Sequence, residues 1–209
     1  EITFAAVQAT MGVGGIVGGL LISLWGGPQR RVHGVFLGMA GTGLFGSVVI
    51  GLGDGVLVWM VGAFLAMFFL PTINSSNQAI WQTKVAPDVQ GRVFAVRRLI
   101  AQITVPVGMV VAGVLADFVF EPAMAPDGLL ADTFGGLVGT GPGAGIALLI
   151  IITGVLNAFA GLSGYLFPII RDVETILPDF EPEPTPDPVP DPAADTPTAT
   201  GDAAAPATG

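Results

Sequence analysis

The sequence contains no cysteine and a single histidine, His33, in 209 residues. Without cysteine there are no disulfides, thiolate metal sites or cysteine nucleophiles. A lone histidine with no neighbour at ligand spacing builds no histidine metal centre. No metal and no other cofactor is therefore expected. Charge is scarce as well: Asp, Glu, Lys and Arg make up 11% of the chain, where a soluble domain carries about 25%. What fills the sequence instead is apolar. Hydrophobic residues account for 52% and the mean hydropathy is +0.76. They lie in long uninterrupted runs that a water-soluble core does not require. Composition thus excludes a soluble enzyme, a nucleic-acid binder and a disulfide-stapled secreted domain. It points to an integral membrane protein.

The net charge of −9 belongs mostly to one end of the chain. Nine of the sixteen acidic residues lie between Arg171 and Gly209, and from about Pro178 onward Pro repeats with Asp, Glu, Thr and Ala. Such a stretch has nothing to bury and reads as a disordered, solvated tail. Residues 1–170 form the transmembrane helical domain and residues 171–209 the acidic, Pro-rich tail. The chain opens at Glu1 and enters an apolar run within a few residues. No basic n-region or cleavage-site pattern is visible, which argues against a signal peptide. It reads as a fragment whose upstream part is missing.

A spanning helix needs roughly 20 apolar residues. Five segments meet that length: about 3–25, 34–53, 56–81, 99–120 and 143–167. Continuous runs exclude barrel strands, which alternate. The expected fold is an all-α, polytopic helix bundle with loops at 26–33, Asp54-Gly55, 82–98 and 121–142. All seven basic residues fall on one side: Arg30 and Arg31 in the first loop, Lys84, Arg92, Arg97 and Arg98 in the third, and Arg171 after the last span. The other two loops carry Asp54, Glu121, Asp127 and Asp132. The positive-inside rule then places the N-terminus of the chain outside and the tail in the cytoplasm. Trp25, Trp59, Trp81 and Tyr165 fall near span ends, where amphipathic rings favour the headgroup region.

Small residues recur four apart at Gly14/Gly18, Gly15/Gly19, Gly34/Gly38 and Ala112/Ala116. That spacing lets helix backbones approach closely in lipid; hinge use is the other reading. In the third span, Pro71 invites a kink and is followed by Asn74, Asn77 and Gln78 on one face. Amides turned to lipid are costly, so this face either bonds to other helices or lines a substrate path. Gln102 and Asn157 are single amides in the fourth and fifth spans, and Gln102 joins the path candidates. Asp117, near the outer end of the fourth span, reads as a hydrated side chain rather than a buried proton carrier. The glycine-rich 139–145 stretch lacks a following Lys-Ser/Thr and fails as a phosphate loop. Arg92, Arg97 and Arg98 offer pairing to helix ends, phospholipid or carboxylates elsewhere.

The stretch Val85-Ala86-Pro87-Asp88-Val89-Gln90-Gly91-Arg92-Val93-Phe94, followed by Pro106-Val107-Gly108 and Ala112-Gly113-Val114-Leu115-Ala116-Asp117, resembles the major facilitator superfamily. The resemblance is to its branch of enterobactin- and macrolide-type exporters and covers residues 3–170. It implies that the first span corresponds to helix eight of that fold and the last to helix twelve, with the N-terminal half of the transporter as a missing partner. Trp25-Gly26-Gly27-Pro28-Gln29-Arg30-Arg31 keeps the paired arginines of the corresponding family loop but not its acid.

The resemblance implies secondary transport by alternating access, exporting a hydrophobic or amphipathic small molecule across a bacterial inner membrane, with proton antiport as the coupling. Asn74, Asn77, Gln78 and Gln102 are then substrate-path candidates, and Arg30, Arg31, Gly91, Arg92, Arg97 and Arg98 candidates for a cytoplasmic gate. The competing reading is a non-transporting five-span scaffold or accessory subunit. An intramembrane enzyme is not expected, because no Ser/His set, carboxylate pair or metal cluster is visible.

Overall fold

A computed structural model describes residues 2–177, 179 and 180. The solvated tail expected from Pro178 onward falls almost wholly outside the described residues. Five helices are long and apolar enough to cross a membrane: α1 (Ile2–Trp25), α2 (Arg31–Leu52), α3 (Val56–Lys84), α4 (Pro87–Met124) and α6 (Ala144–Leu166). Between the last two lies the short α5 (Ala131–Val138), and beyond them α7 (Pro168–Arg171) and α8 (Val173–Ile176). The chain folds as an all-helical bundle.

Span ends differ from the expectation in one informative place. The segment 82–98, expected as a loop, is almost entirely helical: α3 runs on to Lys84, only Val85 and Ala86 connect, and α4 starts at Pro87. Extended Ala86, Pro87 at the first helical position and Asp88 in the first turn together form a strong start signal. Gly91, Arg92, Arg97 and Arg98 therefore sit on a rigid helix. Pro71 lies inside α3 and Pro106 inside α4, and each helix continues past its proline. At the far end, the segment 121–142 holds the last turn of α4 and all of α5.

Glycines set the packing distances. A Cβ on Gly14 or Gly18 would fall onto the carbonyl oxygens of Phe64 and Phe68, so α1 and α3 meet backbone to backbone. The Gly15/Gly19 row faces open space instead. Gly43 on α2 abuts Gly154 on α6, and Gly46 abuts Ala66 on α3, which makes α2 the centre of the bundle. Asn157 donates to the Met39 carbonyl at 3.3 Å, bridging α6 to α2. α4 stands apart. None of its residues from Pro87 to Leu115 is buried. It rejoins the bundle at the far end, where Met124 packs with Ala144, Leu148 and Phe120. There the Glu121 carboxylate accepts hydrogen bonds from the Gly143 and Ile146 amides, both at 3.2 Å. A negative charge at a helix N-terminus is favourable, so Glu121 ties the end of α4 to the start of α6.

Candidate functional site

The polar face of α3 and the basic start of α4 meet at one contact. Arg97 Nη2 donates to Asn77 Oδ1 at 2.7 Å. The Arg97 guanidinium carbon lies 4.7 Å from the Trp81 ring centroid and 5.8 Å from that of Phe94. The local sequence explains this. Asn77 and Trp81 are four apart and share one face of α3, while Phe94 and Arg97 are three apart on α4. The short 85–86 connection folds the two faces together. The cation thus has a hydrogen-bond acceptor at its tip and aromatic rings beside it, an arrangement that holds an arginine where no carboxylate is present.

The other candidates are distributed around this contact. Asn74 and Gln78 are exposed on α3, Asn77 is half-buried, and Gln102 is exposed on α4. Gly91, Arg92 and Arg98 are exposed on α4, and a side chain at Gly91 would meet nothing. Arg30 lies 3.9 Å from Asp172, with 60% of its side chain exposed. Arg31 turns inward: its Nη1 donates to the Ala79 carbonyl at 3.1 Å and to Thr83 Oγ1 at 3.2 Å. The structure therefore joins Asn77 to Arg97, and Arg31 to the end of α3. Asn74, Gln78, Gln102, Gly91, Arg92 and Arg98 are left without side-chain hydrogen bonds among the described residues.

A third group at this basic end was not anticipated. Residues 172–177, part of the stretch expected as tail, fold back with α8 against the start of α2 and the end of α3. The Glu174 carboxylate accepts from the amides of Arg31 and Val32, each at 3.2 Å, and so caps the N-terminus of α2. Lys84 Nζ donates to the Glu174 carbonyl at 2.8 Å and to that of Leu177, and pairs with Asp179 at 2.8 Å. The Phe180 amide donates to the Thr83 carbonyl at 2.9 Å. Two carboxyls here lie below the ordinary aspartate range. Asp172 is lowered by its hydrogen bond to Arg171, helped by the charges of Arg171, Arg30 and His33. Asp179 is lowered by its hydrogen bond to Lys84 and by the same charge. The available signal was hydrophobic: Val173, Ile176 and Leu177 give this stretch apolar residues that the repeats after Pro178 largely lack.

Between these groups, His33 Nδ1 and Tyr165 Oη share a 2.9 Å hydrogen bond and their rings stack at 5.4 Å. Among the described residues no three metal-ligating side chains converge.

No family model matches the chain, and no solved structure matches it. Its sequence is similar to Macrolide efflux protein A of Streptococcus pyogenes, with 27% identity over 119 residues, covering 56% of this chain and 27% of that protein. It is also similar to Macrolide efflux protein A of Enterococcus faecalis, with 27% identity over 111 residues, covering 52% of this chain and 32% of that protein. The matched segments span about a third or less of these relatives' lengths. The chain is a helical, multi-span protein with a distant likeness to bacterial efflux transporters.

Proposed function

We propose that the chain is the C-terminal portion of a secondary transporter that exports a hydrophobic or amphipathic small molecule from a bacterial cell by alternating access, coupled to protons. The observation that carries this reading is the Arg97–Asn77 contact. It connects the polar face of α3 to the basic segment that resembles a major facilitator loop, so a movement of α4 against α3 is felt directly at the path-lining amides. The distant similarity to two macrolide efflux proteins supports the same class. So do five apolar helices built on small-residue contacts, because helices that rock against one another need such close, smooth interfaces.

In this mechanism Asn74, Asn77, Gln78 and Gln102 present hydrogen-bonding groups to an otherwise apolar passenger. Arg97, held between Asn77 and Trp81, closes the end of the path that carries the basic residues. The positive-inside rule makes that end cytoplasmic. Arg30, Gly91, Arg92 and Arg98 ride on the moving surface around it.

The test uses cells expressing the complete gene that encodes this chain and measures efflux of a panel of hydrophobic amines, a macrolide among them, at matched protein level. Export of at least one compound is expected. Asn77→Ala should change export of some compounds more than others, since specificity is a difference between affinities. Arg97→Ala should slow export of all of them. Accumulation identical to that of cells lacking the gene, across the panel, refutes the transporter reading. A uniform loss with Asn77→Ala that tracks thermal stability removes the amides from the path.

A further inference from the structure

A second polar feature at the basic end is not used by the transport reading. A cavity of about 330 Å³ opens between the end of α1, the 26–30 turn and α3, and its walls include Ser23, Gly26, Gly27, Arg31, Ser75 and Ser76. No carboxylate lines it. Glu174, which touches Arg31, does so through the backbone amide rather than the guanidinium.

We propose that this cavity binds a phosphate group, presented by a phospholipid headgroup or by a soluble phosphate ester. The inference goes beyond transport and does not depend on it. Four donors face the space with capacity to spare. The Arg31 guanidinium spends only Nη1 on Ala79 and Thr83, which leaves Nε and Nη2 without partners among the described residues. Ser76 also lines the space; its hydroxyl lies against Gly34 of α2 and takes part in no hydrogen bond between described residues. A hydroxyl on a cavity wall with no protein partner is free to donate to an oxyanion placed there. The Gly27 amide is likewise without a partner among the described residues, in a turn where Gly26 and Gly27 hold φ of 79° and 82°. Only glycine takes such angles readily, and successive turn amides of this kind bind anions.

An arginine, a hydroxyl and a turn amide around one space make a site for a tetrahedral oxyanion, which arginine recognises through a planar fork of donors. Its position suits a lipid. Leu20, Leu24 and Trp25, in the last turns of the helix that forms one wall, are exposed, which gives acyl chains an apolar surface to follow while the headgroup enters the cavity.

The experiment is native mass spectrometry of the full 209-residue chain in detergent, titrated with dioleoylphosphatidylglycerol, with dioleoylglycerol, and with sodium phosphate or glycerol 3-phosphate as competitors. Phosphatidylglycerol should bind and dioleoylglycerol, which lacks the phosphate, should not. Arg31→Gln should weaken binding about tenfold, the scale of one charge-assisted hydrogen bond. Ser76→Ala, which leaves every charge in place, should weaken it about threefold or more. Competition by soluble phosphate assigns the site to a soluble ester, and its absence assigns the site to the lipid; both outcomes uphold a phosphate site. Equal binding of dioleoylglycerol overturns it. So does wild-type affinity in Ser76→Ala, a variant that removes only the hydroxyl and is expected to fold even if Arg31→Gln does not.

Discussion

The two glycine rows of α1 provide a direct trial of the packing. Gly14 and Gly18 face α3, and a Cβ on either would overlap the carbonyl oxygen of Phe64 or Phe68. Those oxygens belong to helix backbone and cannot rotate away as a side chain can. Gly15 and Gly19, one residue on, have nothing within 4 Å of a built Cβ. Replacing glycine by alanine inside a helix gains about 1 kcal/mol from reduced backbone freedom at any of the four positions. Overpacking a tight contact costs about 1–3 kcal/mol. The overlap wins at Gly14 and Gly18, and only the gain operates at Gly15 and Gly19. Gly18→Ala should therefore lower the thermal unfolding temperature in detergent, while Gly19→Ala should leave it unchanged or raise it. Gly14→Ala with Gly18→Ala should cost less than the sum of the two, because one outward shift of α1 relieves both overlaps. Gly18→Ala as stable as the parent chain, or Gly19→Ala more damaging than Gly18→Ala, would refute the assigned α1–α3 interface.

Two further outcomes are expected. The Asp172 and Asp179 carboxyls are held below the ordinary range, so docking of the 171–180 segment gains stability above about pH 3.9, the unfolded value, and loses it as pH falls through the lowered values. The Ile176 and Phe180 amides should be protected from hydrogen exchange, relative to a free peptide at the same pH, near neutral pH and should lose that protection once the pH is below both lowered carboxyl values; protection kept in acid would separate docking from these ion pairs. Because the chain has no cysteine, a single Cys at Asp127 or Gln90 gives an unambiguous topology probe. In intact cells an impermeant thiol reagent should label the first and spare the second, and the reverse pattern would invert the orientation.

What could be read from the sequence was whatever rests on long-range composition. Five apolar runs of spanning length stand out against a charge content of 11%, and the five helices cover them, the fourth starting well before its run at Pro87 and the other ends displaced by a few residues. In the 82–98 segment, dense charge masks two helix ends. Three arginines in one stretch look solvated, yet Pro87 and Asp88 are helix-starting residues and the charges simply ride on the first turns of α4. The glycine pairs were visible as a spacing, but spacing alone does not say which row meets a neighbour. Gly14/Gly18 and Gly15/Gly19 are equivalent on paper and differ only once α3 is in place. The π-helical turns at Thr42–Val48 and Ala116–Phe120 left no sequence signal. A π turn adds a residue to a helix without changing its apolar character.

The same reasoning explains why half of the basic-end contacts escaped notice. An amide in an apolar run makes Asn77 conspicuous in the sequence, and a cation beside a membrane does the same for Arg97. Their pairing required only that α3 and α4 be joined by a tight turn, which the Ala86-Pro87 step supplies. Glu174 is inconspicuous for the opposite reason: it is one of nine acids in a stretch dominated by charge. What distinguishes Glu174 is not its charge but the apolar Val173, Ile176 and Leu177 around it. These let α8 settle against the bundle and bring the carboxylate under the first amides of α2. With that carboxylate on the backbone of Arg31, the guanidinium is left to neutral acceptors and to the cavity it lines. The cap on α2 and the open valence of Arg31 are thus two consequences of one docking event.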